Sequence, residues 1–197
     1  MQKILIASQN AHKIDEIAPI LRLAGFEVTD ARSHSLPEPV EDSGSFIGNA
    51  RIKAKAAMEA TGMAVLADDS GLVIEALPEE FPGVESAPYA KECGGYPAAV
   101  ADLFQRLDGK PSDCYYIAVI LVLFPDGREV IVQGKVKGRL MPEPRGEGTF
   151  GFDPWFEITD GAMTGKRFAE ITTEQKHQIS HRGQALKELL NELRAVS

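Results

Sequence analysis

The sequence predicts an α/β fold built on a mixed β-sheet flanked by helices. Three observations carry that expectation. Short apolar runs alternate with segments whose apolar residues recur at helical spacing, and the longest run, residues 115–124, passes through Pro125-Asp126-Gly127 into a second strand-like run. No internal repeat or linker divides the chain, so one domain is expected over residues 1–197. The turn makes an antiparallel hairpin, and a sheet that also contains strand–helix–strand units is therefore mixed.

Residues 3–7 read as a buried strand that leads through the polar Ser8-Gln9-Asn10 turn into a helix with Ile14, Ile17, Ala18 and Leu21 on its apolar face. Pro19 removes a backbone donor and crowds the preceding turn, so a kink is expected there, and Gly25 is the expected stop. Residues 31–45, with Pro37, Pro39 and Gly44, read as an irregular connection. A second helix buries Phe46 or Ile47, Ala50, Ala54, Ala57 and Met58, carries Ser45, Asn49 and Lys53 as a polar line, and closes at Gly62. The apolar runs 63–67 and 72–76 read as two strands separated by Asp68-Asp69-Ser70-Gly71, which places both acids where a strand ends. Residues 78–97 read as loop, and Val100, Leu103, Phe104 and Leu107 mark a third helix ending near Gly109. The run 115–124 suits a central strand with a hairpin partner at 129–136. Residues 146–154 form a glycine-rich, aromatic loop with no regular element. Thr172 and Gln175 offer a capping box for a short helix, and a final helix buries Leu186, Leu189, Leu190 and Leu193.

Composition narrows the partners. With 197 residues, 44% of them hydrophobic, the chain can bury a substantial core. A formal net charge of −8 opposes binding to a nucleic-acid backbone or an anionic membrane surface, so neither is expected as a partner. The apolar run at the N-terminus is too short for a signal peptide, and no segment approaches the ~20 apolar residues of a membrane span, so a cytoplasmic protein is expected. Cys93 and Cys114 have neither metal-ligand spacing nor partners for a disulfide framework and read as plain thiols.

Two segments concentrate chemistry. Between the first strand and first helix, Ser8-Gln9-Asn10-Ala11-His12-Lys13 stands where backbone donors and the helix dipole favour an anion. The same residues also fit an Asn10 N-cap followed by a solvent-facing Lys13. Asp68-Asp69 pairs two carboxylates whose repulsion a divalent cation relieves, although a glycine-serine turn also tolerates exposed acids, and Glu41 would complete an oxygen-ligand set suited to magnesium. Lys53, Lys176, His181 and Arg182 are further candidates, each individually explicable as a surface or packing residue.

In order along the chain, Ser8-Gln9-Asn10-Ala11-His12-Lys13, Phe46-Ile47-Gly48-Asn49-Ala50-Arg51-Ile52-Lys53-Ala54, Ala67-Asp68-Asp69-Ser70-Gly71-Leu72, Phe150-Gly151-Phe152-Asp153-Pro154 and Ser180-His181-Arg182-Gly183-Gln184-Ala185-Leu186 closely resemble the motifs of the inosine/xanthosine triphosphate pyrophosphatases, or Ham1-like family. The resemblance runs nearly end to end. It implies an elongated two-lobed α/β fold with an active-site cleft between the lobes, a homodimer, and magnesium-dependent cleavage of ITP, dITP or XTP to the monophosphate and pyrophosphate. It further implies a substrate-binding set of Ser8, Gln9, Asn10, Ala11, His12, Lys13, Asn49, Lys53, Ser70, Phe150, Gly151, Phe152, Asp153, Lys176, His181 and Arg182. Glu41, Asp69 and Asp68 would serve magnesium, with Asp69 and Lys53 catalytic. The Ser180-His181-Arg182 motif separates the chain from Maf-like pyrophosphatases, which act on pyrimidine or modified nucleotides.

The chain departs from the family pattern at Ser86-Ala87-Pro88-Tyr89, where arginine usually precedes the aromatic residue, so a cation and a backbone donor are lost together at Pro88. Gln9, Thr149 and Phe152 are milder departures, replacing residues that are frequently glycine, glycine and tyrosine.

Overall fold

Strand β1 (Lys3–Ile6) opens the fold in a computed structural model that describes residues 2–147 and 150–195. Met1, Gly148, Thr149, Val196 and Ser197 lie outside the described residues, and with them the Thr149 departure. After β1 follow α1 (Ala11–Leu23), β2 (Glu27–Asp30), α2 (Phe46–Thr61), β3 (Ala64–Ile74), α3 (Ser86–Glu92), α4 (Tyr96–Arg106), β4 (Ser112–Leu123), β5 (Glu129–Leu140), β6 (Phe156–Ile158), α5 (Thr173–Ile179) and α6 (His181–Ala195). Among the described residues the sheet order is β2-β1-β3-β4-β5-β6. Strand β1 pairs parallel with β2 and β3, whereas β5 pairs antiparallel with β6, so the sheet is mixed, as expected, with β4 and β5 as neighbours. No helix among the described residues is long and apolar enough to cross a membrane.

The chain divides into two compact units. The first comprises Met1–Asp69, Ala118–Gly134 and Gln184–Ser197, and its strands β1 and β3 are buried on both faces. Side chains alternate across a strand. Ile4 and Ile6 of β1, with Ala64 and Leu66 of β3, meet Ile14, Ile17, Ala18 and Leu21 of α1 and Ala185, Leu186 and Leu189 of α6. Leu5, Val65 and Ala67 face the other way, against Ala50, Ala54 and Ala57 of α2. The alanine stripe lets α2 lie close to the sheet, and Gly62, with φ +68°, closes that helix.

The second unit comprises Ser70–Ile117 and Lys135–Gly183 and has its own core. Leu72, Ile74, Tyr116, Leu140, Phe156 and Ile158 pack there with Tyr89 and Ala90 of α3, Ala99, Val100, Leu103 and Phe104 of α4, and Phe152, Trp155 and Phe168.

Several expectations change. Residues 64–74 form one continuous strand rather than two, so Asp68 and Asp69 lie in mid-strand and not at a strand end. Their charges do not interrupt the strand because each has a lysine partner, described below. Nor does Gly71 mark a turn: a Cβ there would overlap the Gly83 carbonyl oxygen, so the glycine is a point of close backbone approach. The Ser86 hydroxyl seals that contact, accepting from Leu72 N at 2.9 Å and donating to the Gly83 carbonyl at 2.6 Å.

Residues 78–97 are not loop. They hold two 3-10 turns, α3 and the start of α4, whose buried faces come from Tyr89, Ala90 and Ala99 and are too short for the periodicity to reveal. Strands β2 and β6, of four and three residues, were likewise too short to announce themselves. Pro88 is the third residue of α3 and exposed. In that first turn a backbone N–H has no partner within the helix, so proline removes nothing the helix needs. Pro19 is also exposed, and α1 continues through it to Leu23.

Candidate active site

In the first unit, β1 delivers the chain into the Ser8-Gln9-Asn10 turn. Asn10 is the N-cap of α1: its side-chain oxygen accepts from His12 N at 3.0 Å and Lys13 N at 3.4 Å, and its own N–H donates to Ser8 Oγ at 3.1 Å. Gln9 Nε2 donates to the Leu36 carbonyl at 2.6 Å, tying the turn to the irregular segment that follows β2. Ala11 and His12 are exposed. Of the two readings that the sequence left open, the N-cap holds but the solvent-facing lysine does not. Lys13 Nζ lies 2.7 Å from Asp68 Oδ2, a carboxylate whose side chain is 0% exposed.

Lys53 projects from α2 between two acids, with Nζ 2.8 Å from Glu41 Oε2 and 3.0 Å from Asp69 Oδ1. Burial alone would depress the lysine's pKa, but Asp69 and Glu41 outweigh it and hold the ammonium above its ordinary value. Asp69 is also shifted upward, which for an acid disfavours the ionised form. Burial pushes its carboxyl up to about 6, with Lys53 and Lys13 opposing the rise and Glu41 adding to it. The asymmetry is physical: Lys53 has two carboxylates, whereas Asp69 shares its one close ammonium with Glu41. Asp69 Oδ2 is also buried without a hydrogen-bond partner.

Asn49, buried one turn before Lys53, accepts from Ser43 N at 3.2 Å and Ser43 Oγ at 2.8 Å. Gly48 lies so close to Ser43 that a Cβ would overlap the serine side chain. Asn49 thus pins residues 43–45, just beyond Glu41, onto the start of α2.

Among the described residues no three histidine, cysteine, aspartate or glutamate side chains converge as a metal cluster, because the acids are drawn onto Lys13 and Lys53. The donor set nevertheless fits magnesium. Carboxylate oxygens from Glu41 and Asp69 surround one cationic position, now filled by Lys53 Nζ, and the unsatisfied Asp69 oxygen is a further hard donor.

In the second unit, Asp153 and Lys176 form a buried pair, Lys176 Nζ donating to Asp153 Oδ2 at 2.6 Å. Lys176 is placed by α5, whose N-terminus carries the predicted capping box: Thr172 Oγ1 accepts from Gln175 N, and the Gln175 side chain accepts from Thr172 N. The same ammonium lies 5.3 Å from the centroid of the half-buried Phe150 ring. Phe152, by contrast, is 2% exposed and packs edge-on against Tyr96 at 4.9 Å, so within this loop Phe150 and Gly151 retain accessible surface while Phe152 belongs to the core.

His181 and Arg182 open α6, both buried. Arg182 Nη2 donates to Ser70 Oγ at 3.0 Å. The next residue must be glycine, since a Cβ at Gly183 would overlap the His177 carbonyl oxygen at the end of α5. His181 stacks on Tyr116, with centroids 4.7 Å apart and planes at 14°. In the sequence Tyr116 lies inside an apolar run and reads as strand core, with only its hydroxyl to set it apart; in the structure that hydroxyl is 3.4 Å from Asp153 Oδ1.

The structure therefore gathers the predicted residues into two sets. Ser8–Lys13, Glu41, Asn49, Lys53, Asp68 and Asp69 fall in the first unit, and Ser70, Phe150–Asp153, Lys176, His181 and Arg182 in the second. The first set pairs two lysines with three carboxylates; the second offers an aromatic face with polar donors.

Comparison with known proteins gives a consistent answer. The model of the Ham1 family matches residues 4–192. A dITP/XTP pyrophosphatase of Zymomonas mobilis is 42% identical over 192 residues, covering 95% of this chain and 90% of the relative. A dITP/XTP pyrophosphatase of Symbiobacterium thermophilum is 39% identical over 198 residues, covering 99% and 96%. Among solved structures, a HAM1 protein from Coxiella burnetii is similar with a TM-score of 0.88 and 33% identity, covering 99% of this chain and all of that one. The Ham1 protein of Staphylococcus aureus gives 0.85 and 32%, with both chains covered completely. On matches that span the chain from β1 to α6, this protein belongs to the Ham1 family.

Proposed function

We propose that this chain hydrolyses the unusual purine nucleoside triphosphates ITP, dITP and XTP between the α- and β-phosphates, releasing the nucleoside monophosphate and pyrophosphate and so clearing them from the nucleotide pool. The observation that carries the proposal is the pairing of two consecutive buried carboxylates, Asp68 and Asp69, with two lysines from separate helices. The relatives named dITP/XTP pyrophosphatase support it.

Lys13 and Lys53 can exchange their carboxylate partners for phosphate oxygens, with Ser8 and Asn10 preceding Lys13 at the start of α1. Water attacks the α-phosphorus, the bond to the β-phosphate oxygen breaks, pyrophosphate leaves, and Asp69 takes the proton of the attacking water. Burial of Asp69 makes its carboxylate more basic than an exposed one, which favours that task. Glu41 and Asp69, with Asp68 in support, are the residues that would hold magnesium, whose chemistry here is to neutralise phosphate charge and acidify water.

The base falls to the second set. Phe150 offers a ring face for stacking, and Lys176, His181 and Arg182 offer donors suited to the 6-oxo group of hypoxanthine or xanthine. Adenine carries an amino donor at that position and leaves such groups unpaired. A cytoplasmic homodimer without nucleic-acid or membrane partners is the setting this function implies; sedimentation equilibrium checks the assembly.

The deciding experiment is a panel of nucleoside triphosphates with magnesium and pyrophosphate detection. ITP, dITP and XTP should exceed ATP, GTP, dTTP and UTP in kcat/KM. Faster turnover of dTTP or UTP than of ITP overturns the assignment.

A further inference from the structure

The side chain of Tyr116 touches both halves of the polar set in the second unit. Its hydroxyl donates to Asp153 Oδ1 at 3.4 Å, while Lys176 donates to the other oxygen of the same carboxylate at 2.6 Å. Its ring stacks on His181 and is backed by Phe156 at 4.7 Å and Phe168 at 6.0 Å. As a core residue Tyr116 needs only the ring. A buried hydroxyl carries a desolvation cost that phenylalanine would avoid, and here that cost is met by a carboxylate. Burial, and then the charge of Asp153, hold the phenol well above its ordinary pKa, so it remains a donor throughout the neutral range.

We propose that Tyr116 is a positioning residue for base selection: its hydroxyl fixes Asp153, and through it Lys176, while its ring fixes the plane of His181, so that both donors meet a 6-oxo purine in one geometry. The inference rests on the base-reading role given above to Lys176 and His181. Because Lys176 is oriented through Asp153, and His181 through a ring face, loss of the hydroxyl loosens one donor and leaves the other stacked.

Y116F separates these contributions, since it keeps the ring and removes the hydroxyl. The expected result is a rise of about fivefold in KM for ITP with kcat within twofold, and a fall of about fivefold in the preference for ITP over ATP, the size of one net hydrogen bond. A fall in kcat for every substrate at unchanged KM and unchanged preference marks a merely structural residue and overturns the proposal. K176M in the native background distinguishes the two levels of inference, since it removes a donor to which the base-reading role was given. If K176M leaves the ITP-over-ATP preference unmoved, the base-reading role given to Lys176 is wrong; if K176M lowers it and Y116F does not, only the Tyr116 proposal fails. Should Y116F not fold, 3-fluorotyrosine at position 116 gives a second measurement. Its fluorine resonance is expected to move on adding IMP and to stay in place on adding pyrophosphate alone; no movement with IMP overturns the proposal.

Discussion

Lys53 stands between Glu41 and Asp69 as a built-in counter-cation, and Asp69 is the under-compensated member of that group. Two predictions belong at this scale. Asp69→Asn removes the proton acceptor but keeps the shape, so kcat for ITP should fall about 10²–10⁴-fold while nucleotide binding is largely retained, as steady-state kinetics and calorimetry would report. Activity within tenfold of the native enzyme would exclude Asp69 as the base. The second concerns pH. The Asp69 carboxyl is raised to about 6 in the folded, metal-free protein and ordinary, near 4, when unfolded. The folded state therefore binds this proton more tightly, and the stability it contributes is fully present below about pH 4 and lost as pH rises through about 6. Urea unfolding of the native protein minus D69N across that window should show this loss, and carboxyl-carbon NMR should place the titration directly.

At the scale of elements, short structural devices place the candidate groups. The Thr172–Gln175 capping box starts the helix that carries Lys176, Asn10 starts the helix that carries Lys13, and Gly183 lets the first turn of α6 lie on the end of α5. Gly183→Ala would force a methyl group against the His177 carbonyl, shifting His181 and Arg182. Overpacking of this kind costs about 1–3 kcal/mol, so the melting temperature should fall and KM for ITP should rise. An unchanged KM would show that the packing of α6 on α5 does not position these residues. Glycine in the motif is thus explained by backbone approach, as at Gly71, and neither is a turn.

For the whole molecule, the net charge of −8 predicts that a labelled oligonucleotide shows no binding by fluorescence anisotropy at about 0.15 M salt; tight, salt-sensitive binding would contradict the expected absence of a nucleic-acid partner. At this scale the legibility of the chain also differs between its parts. The helix of residues 46–61, the hairpin of β4 and β5, both caps and the mixed sheet were readable because each rests on local periodicity or local turn chemistry. The motifs nominated Lys13, Lys53, Asp68, Asp69, Lys176, His181 and Arg182, but a motif names residues and not their partners. That β3 runs unbroken through two acids depends on lysines arriving from helices 55 and 16 residues away in the chain, and that Lys13 turns inward depends on Asp68. The fit of Pro88 into the first turn of α3, and the contact of Tyr116 with both Asp153 and His181, are likewise long-range outcomes. The sequence by itself determined the class of fold and nominated the candidate site residues, because patterns and caps are local. Only the tertiary structure decided which charge faces which, because burial and pairing are properties of neighbours that the chain brings together from afar.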